Sequence, residues 1–329
     1  NSKKLFFKIM KNKILVTGGL GILGNQLIDL LSQDIKNQVF LLDYNKNVNR
    51  LKKTTFTNKV TFIGGDFIDL NKMKSLILKQ KFKVIFHLGA VTQVIDAYKS
   101  PMKTFRTNID GTINILEAIR LINKKIIFIY ASSDKAYGEL VDKSYRENHQ
   151  LKGIYPYDVS KSASDLIAQS YSKTYGLKVG IIRCGNIFGP SDYNLDRLIP
   201  GIIINTLRNK RITLRSNGKL IRDYIYVLDA AKAYIMLMKK MIKNNKKLFI
   251  YNIGSKYNLT ALIMLNKIQT MMKNKIKPLI KNNSKIEIKR QKLNYQKAFN
   301  ELNWKPKSNL EKSLLETIKW YEKNLSYFK

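Results

Sequence analysis

One short run near the start of the chain restricts the fold more than any other feature. The apolar stretch Lys13 to Val16 reads as a strand and leads straight into Thr17-Gly18-Gly19-Leu20-Gly21-Ile22-Leu23-Gly24, with a helical pattern directly behind it. Glycines at 18, 21 and 24 permit a tight turn, close approach of the backbone to a pyrophosphate, and close contact of helix with sheet. A glycine loop alone is weak evidence. This one lies between a strand and a helix, and the next strand ends in Leu41-Leu42-Asp43, about twenty residues on, as a dinucleotide-binding unit requires. Gly18, Gly21, Ile22, Leu23 and Gly24 are therefore the candidate cofactor loop. Asp43 is placed to bond the ribose hydroxyls and to repel a 2′-phosphate, which favours NAD over NADP.

Further strand-like runs follow at Val39 to Leu42, Val60 to Ile63, Val84 to Leu88, Ile126 to Tyr130 and Val179 to Arg183, with amphipathic helical stretches between them. Such alternation predicts an α/β fold, a Rossmann-type doubly wound parallel sheet with helices on both faces. Two of its strand ends face the same crevice. Asp66, followed by Phe67, is expected to meet the adenine, and the small residues at Gly89 and Ala90 after Leu88 let the backbone pass close to the cofactor. Beyond Asn186 the pattern changes: prolines at 190 and 200, a helix, a hairpin-like region from Ile212 to Val227, then helices with Pro278 and Pro306. Phe249 to Gly254 reads as one more strand returning to the main sheet. The expected division is an NAD-binding domain over 11–185, with 223–254 contributing to it, and a smaller C-terminal substrate-binding domain over 186–222 and 255–329.

With 329 residues, 44% of them hydrophobic, the chain has enough apolar material for a large core. Its net charge of +37 raises nucleic acid as a partner, but only eleven of the 60 basic residues are Arg, and the lysines are scattered beside many Asn and Ile. That distribution fits a solvated lysine surface produced by biased base composition, with steering of an anionic substrate as its one physical consequence. Nucleic acid is not expected as a partner. Cys184 is the single cysteine, and His87 and His149 are the only histidines, so neither a disulfide framework nor a Cys/His zinc site can be assembled. No apolar run of about 18 residues is present and no secretory signal opens the chain, which predicts a soluble cytoplasmic protein without a membrane partner. The chain opens at Asn1, so the natural start lies upstream or at Met10.

Catalysis must then come from other groups. Tyr157 and Lys161 are four residues apart, one turn along one helix face. A phenol with pKa near 10 is a poor base at neutral pH, but a neighbouring ammonium, together with a positive nicotinamide, stabilises the phenolate. Tyr157 would then take a proton from a sugar hydroxyl as hydride leaves carbon. Ser133, at the end of the fifth strand, is placed to share the same oxygen.

These motifs together resemble the extended short-chain dehydrogenase/reductases of the NAD-dependent epimerase/dehydratase family. The likeness rests on the glycine loop, Asp43, Asp66, His87 to Ala90, Asn108-Ile109-Asp110-Gly111-Thr112, Ser132 to Gly138, Tyr157 to Lys161, Arg183 to Pro190, Arg222-Asp223-Tyr224 and Leu302 to Pro306. It implies a tightly held NAD that oxidises C4 of a nucleotide-linked sugar and later returns the hydride, with Tyr157 and Lys161 also touching the cofactor. It further implies a homodimer packed through helices around 101–121 and 157–175, and a C-terminal lobe that holds the nucleotide-diphosphate hexose. Asn186, Arg222 and, as a third, Arg290 are the candidate substrate-binding residues, because a diphosphate needs cationic and amide donors.

Two reactions stay open. A 4,6-dehydratase removes the C5 proton and expels the C6 hydroxyl, so it needs an acid and a base that a 4-epimerase does not. Asp134 and Lys135 follow the catalytic serine, a pair that resembles the CDP-glucose 4,6-dehydratases, whereas the glycine loop and the segment from Arg222 to Asp229 look more like the epimerases. The primary expectation is a sugar-nucleotide 4,6-dehydratase, the alternative a 4-epimerase, and the third a non-catalytic RNA-associated protein of the same fold. Retention of Ser133, Tyr157 and Lys161 together argues against the third.

Overall fold

The computed structural model describes residues 11–45, 50, 60–139, 143–283 and 288–328. The opening residues, on which the question of a start at Met10 turns, lie outside them.

In chain order the first half reads β1 (Asn12–Thr17), α1 (Ile22–Ser32), β2 (Asn37–Asp43), β3 (Val60–Gly64), α2 (Leu70–Gln80), β4 (Val84–His87), α3 (Val94–Lys99), α4 (Pro101–Phe105), a π-turn at Arg106–Asp110, α5 (Gly111–Ile122) and β5 (Ile127–Ser133). After a 3₁₀ turn at Asp134–Tyr137 come α6 (Pro156–Tyr175), β6 (Lys178–Cys184), β7 (Asn186–Phe188), α7 (Leu198–Leu207), β8 (Thr213–Leu214), β9 (Ile221–Tyr226), α8 (Val227–Lys243) and β10 (Leu248–Ile253). The chain closes with β11 (Asn258–Thr260), α9 (Ala261–Met271), β12 (Leu279–Ile280), α10 (Gln296–Leu302) and α11 (Leu310–Lys323).

Seven strands form the main sheet in the order β10-β6-β5-β4-β1-β2-β3, and every pairing in it is parallel. This is the expected Rossmann-type sheet. Its strands are apolar on both faces because both are covered. Ile14, Val16, Val84, Phe86, Ile127 and Ile129 point to the layer that contains α1 and α8, while Leu15, Ile85, Phe128 and Tyr130 point to the layer of α2, α5 and α6. Strand order reverses between β1 and β4, so the crevice beyond their carboxyl ends is where this architecture binds ligands.

The C-terminal part has a third apolar cluster, with Ile199, Ile202, Tyr224, Met264, Leu314 and Tyr321 at its centre. Here the sequence expectation of a hairpin between Ile212 and Val227 fails. β8 pairs with β12 and β9 pairs with β7 and β11, so the two strands of the supposed hairpin belong to different sheets. Residues 223–226 thus pair within the small sheet, and the return to the main sheet is made by α8 and β10.

α6 is the helix that matters most for the site. Proline at its first position fixes φ where no amide bond is lost, and Gly176, at φ 71, ends it in the left-handed region.

Candidate active site

The glycine loop is held by backbone contacts. Gly18 N–H donates to Leu42 O at 3.0 Å, and Leu88 N–H to Thr17 O at 3.2 Å, tying the loop to both neighbouring strands. Gly18 has φ +66, and a Cβ there would stand 2.6 Å from the Cα of Gly89. A Cβ at Gly21 meets only Gly18 O, at 3.4 Å, so this glycine faces open space at the start of α1. Gly21 is also the N-cap and makes no side-chain cap bond, which leaves the first-turn amides of Ile22, Leu23 and Gly24 directed at that space. The cradle fits a dinucleotide pyrophosphate.

Asp43 closes one end of the crevice. Its carboxylate accepts from Leu20 N–H at 3.3 Å and from Asn45 N–H at 3.0 Å, and burial raises its pKa despite these bonds. Asp66 is exposed and accepts from Ile68 N–H, whereas Phe67 is buried against Gly89 and Gly111. The smallness of Gly89 therefore has a second cause beside cofactor approach: its neighbours are the Gly18 backbone and the Phe67 ring. His87, buried at the end of β4, bridges Thr17 Oγ1 at 2.8 Å and Thr112 Oγ1 at 3.2 Å. Burial, with Lys161 nearby, lowers its pKa to about 3, so the ring is neutral and serves as a fixed strut.

Opposite the crevice, β5 and the first two turns of α6 carry Ser133, Tyr157 and Lys161. Burial pushes the Tyr157 phenol well above its usual range; a hydrogen bond with Ser133 and the charge of Arg197 act in the other direction. The Lys161 side chain is held from behind. Its Nζ donates to Ala131 O at 2.8 Å and lies 5.0 Å over the Tyr130 ring. Burial lowers the Lys161 pKa to about 8, against the pull of Asp165.

Two networks hold this turn in place. Asn108, in the π-turn, accepts from Val91 N–H at 2.8 Å and donates to Ser160 Oγ at 2.8 Å, so it clasps the loop after β4 to α6. Behind the helix, Arg183 makes a two-pronged pair with Asp165, at 2.9 and 3.0 Å, and Ser132 donates to the same carboxylate at 2.7 Å. Arg183 was visible in sequence only as part of a motif, and nothing there pointed to Asp165 as its partner.

Asp134 is buried, its Oδ1 accepts from Ser133 Oγ at 3.1 Å, and its Oδ2 has no partner; burial raises its pKa, while Lys135 and Arg222 draw it down. Lys135 Nζ donates to Gln291 Oε1 at 3.0 Å. Arg222 donates from Nη1 to the carbonyls of Ile288 at 2.8 Å and Ile221 at 3.0 Å. Its neighbour Asp223 instead accepts from Ser255 N–H at 2.7 Å and Leu293 N–H at 3.1 Å, and burial raises that carboxyl to about 7. Asn186 pairs with Tyr224, which by strand alternation puts Asn186 and Arg222 on one face of the small sheet. Arg290 is exposed, and its backbone bridges Ile221. Sequence reasoning passed over Arg197, which spans Asp192 at 3.4 Å and Thr92 at 3.3 Å, and also Asp158 and Gln291.

A dinucleotide crevice facing a Ser-Tyr-Lys group, with a second lobe across it, defines an extended short-chain dehydrogenase/reductase of the epimerase/dehydratase type. Residues 15–317 match the family described as GDP-mannose 4,6 dehydratase, and the chain belongs to it. A dTDP-D-glucose 4,6-dehydratase of Dictyostelium discoideum is 32% identical over 271 residues, which is 78% of this chain and 61% of that protein, so the chain spans less than two thirds of this relative. Among solved structures, a dTDP-glucose 4,6-dehydratase of Bacillus anthracis in complex with NAD is 28% identical with a TM-score of 0.85, covering 96% of this chain and 98% of that one. A UDP-glucose 4-epimerase of Thermotoga maritima with UDP-glucose is 26% identical, also at TM-score 0.85, covering 95% and 99%. Its relatives and structural neighbours are thus dehydratases and epimerases. Among the described residues no helix is long and apolar enough to cross a membrane, and no His, Cys, Asp and Glu group is arranged to hold a metal.

Proposed function

We propose that this enzyme is an NAD-dependent 4,6-dehydratase of a nucleotide-diphosphate hexose. The observation that carries the reading is the buried Asp134 carboxyl, which accepts from Ser133 Oγ at 3.1 Å, keeps an unpartnered Oδ2 and is followed directly by Lys135. A buried carboxyl next to a lysine is an acid–base pair of the kind elimination needs and C4 epimerisation does not. NAD, when bound, supplies the hydride acceptor and donor. Gly18, Gly21, Ile22, Leu23, Gly24, Asp43, Asp66, Phe67, Leu88, Gly89 and Ala90 line its site in this reading.

Tyr157, hydrogen-bonded with Ser133, takes the proton of the C4 hydroxyl. With C4 a ketone, and with the proton of the Lys135–Asp134 pair passed from the ammonium to the carboxylate, the Lys135 amine removes the C5 proton, the electron pair becomes the C5–C6 double bond, and the C6–O bond breaks as Asp134 protonates the departing hydroxyl to water. The amine ends as ammonium and the carboxyl as carboxylate, so charge balances locally. Asn186, Arg222 and Arg290 take the diphosphate, and Arg222 is the best placed, since its electrostatic influence reaches both Asp134 and Asp158. The cofactor lies on 11–185 and the nucleotide sugar on 186–222 with 255–329. A homodimer through α4, α5 and α6 is supported by exposed Met102, Leu121, Leu166 and Tyr175 along those helices.

The likeness to a solved 4-epimerase at the same TM-score favours C4 epimerisation as a second reading. Reaction of nucleotide hexoses in heavy water separates the two. The expected product is lighter by one water and carries deuterium at C5, and an epimer of unchanged mass would exclude the dehydratase.

A further inference from the structure

Lys135 stands in a polar cluster drawn from three distant parts of the chain. From the C-terminal lobe, Gln291 presents its Oε1 to the amine at 3.0 Å; its side chain is fully buried, and its Nε2 has no partner. From the first turn of α6 comes Asp158, 1% exposed, with Oδ1 likewise unpartnered. In its ammonium form Lys135 is the strongest charge favouring the ionised form of Asp158, with Arg222 acting the same way and Asp134 opposing, and burial nonetheless raises that carboxyl to about 6. Interiors rarely leave buried polar atoms unpaired. Here Asp134 Oδ2, Asp158 Oδ1 and Gln291 Nε2 are all unpaired, and they belong to the residues surrounding one amine.

We propose that Asp158 and Gln291 are positioning residues for Lys135, holding its amino group from two sides where the C5 proton is taken, so that elimination depends on them and the preceding C4 oxidation does not. The inference rests on the dehydratase reading. As Lys135 accepts the proton it becomes a cation inside the protein, and the Asp158 carboxylate is the fixed counter-charge that stabilises it. The Gln291 oxygen meets the same ammonium from the other lobe, and its free N–H is left to donate to a sugar oxygen. Since Asp158 directly follows Tyr157, the first turn of α6 sets both chemical steps from adjacent residues.

The test uses the full chain loaded with NAD and a nucleotide hexose that it converts, with Asp158→Asn and Gln291→Leu as variants. Water loss is expected to slow by about tenfold or more in each, while single-turnover formation of reduced cofactor changes by less than about threefold. Asp158→Glu, which restores the charge, should recover part of the lost rate. In Asp158→Asn the acid limb of water loss near pH 6 should flatten, the facing charges being Lys135, Asp134 and Arg222. Equal slowing of both steps would reduce Asp158 to structural support of the Tyr157 turn and overturn the inference. If the wild type dehydrates and Asp158→Asn and Gln291→Leu both keep pace with it, the inference alone is overturned; if the wild type yields only a C4 epimer, the dehydratase reading falls and takes the inference with it.

Discussion

The two sides of the crevice are built by opposite means. On the cofactor side the shape is made of backbone: Gly18 against Gly89, Leu88 against Thr17, and Leu20 on the Asp43 carboxylate. On the other side it is made of side chains that reach across the molecule, Lys135 to Gln291, Arg222 to Ile288 and Asp223 to Leu293. A backbone site tolerates change at most positions and fails at a few glycines. A side-chain site can lose one function while the rest of the chemistry continues.

The largest effect that sharpens this contrast is expected from Tyr157→Phe, which removes the proton acceptor of the first step, on which everything later depends. Turnover should fall by roughly 10³-fold, within the usual range for losing a general base, with no reduced cofactor seen in a single turnover. Residual oxidation near the wild-type rate would transfer the role to another group. Next comes Gly18→Ala, which places a Cβ at φ +66 against the Gly89 backbone, where no rotamer change can relieve it. Dinucleotide affinity should drop by about 100-fold, equivalent to roughly 3 kcal/mol, in a fluorescence titration; a variant that binds normally would show that the loop is softer than its contacts imply.

On the other side, Arg222→Ala should raise the Michaelis constant for the nucleotide sugar by about tenfold or more, the worth of a charged hydrogen bond, and leave NAD binding unchanged. Parallel losses of both ligands would mean that Arg222 supports the fold around Ile288 more than it binds a diphosphate. The last effect concerns stability rather than chemistry. Asp223 has a folded pKa of about 7 against an ordinary 3.8, so the native state holds the extra proton and the contribution, complete at low pH, is lost as pH rises through 7. Asp158, at about 6, acts in the same direction, and Lys161, lowered to about 8, adds stability only as pH climbs from there toward 10.5. Asp223→Asn should flatten the fall between pH 4 and 7, by about 4 kcal/mol at most, in denaturant midpoints measured at both ends. An unaltered slope would assign the pH dependence to other carboxyls.

The same contrast explains what was legible in the sequence. The glycine loop and Asp43 announce themselves because strand, turn, helix and strand end follow one another within a few dozen residues. Tyr157 and Lys161 are legible as a helical spacing, given meaning by the wider resemblance. The supposed hairpin from Ile212 to Val227 misled because β8 finds its partner in β12, some 65 residues later, and no local turn signal reports that. Asp158 and Gln291 were hidden for the same reason: each is an ordinary polar residue until the fold closes them around Lys135. Helical spacing likewise places Lys161 on the face of Tyr157 without revealing that its tip is held by Ala131 O.

The π-turn at Arg106–Asp110 joins α4 to α5 without a break, which makes 101–122 a single rod carrying one surplus residue. Removing that surplus would restore an even winding and rotate everything downstream by about 100°. Ile115, Leu116 and Ile119, now facing the sheet, would swing toward solvent, and Asn108 would leave the notch between Val91 and Ser160. The irregularity therefore acts as a phase offset between two halves of one helix, letting the first half address the crevice while the second addresses the core. A lineage that inherits this rod cannot shorten the turn by a single codon without choosing between its catalytic helix and its hydrophobic layer.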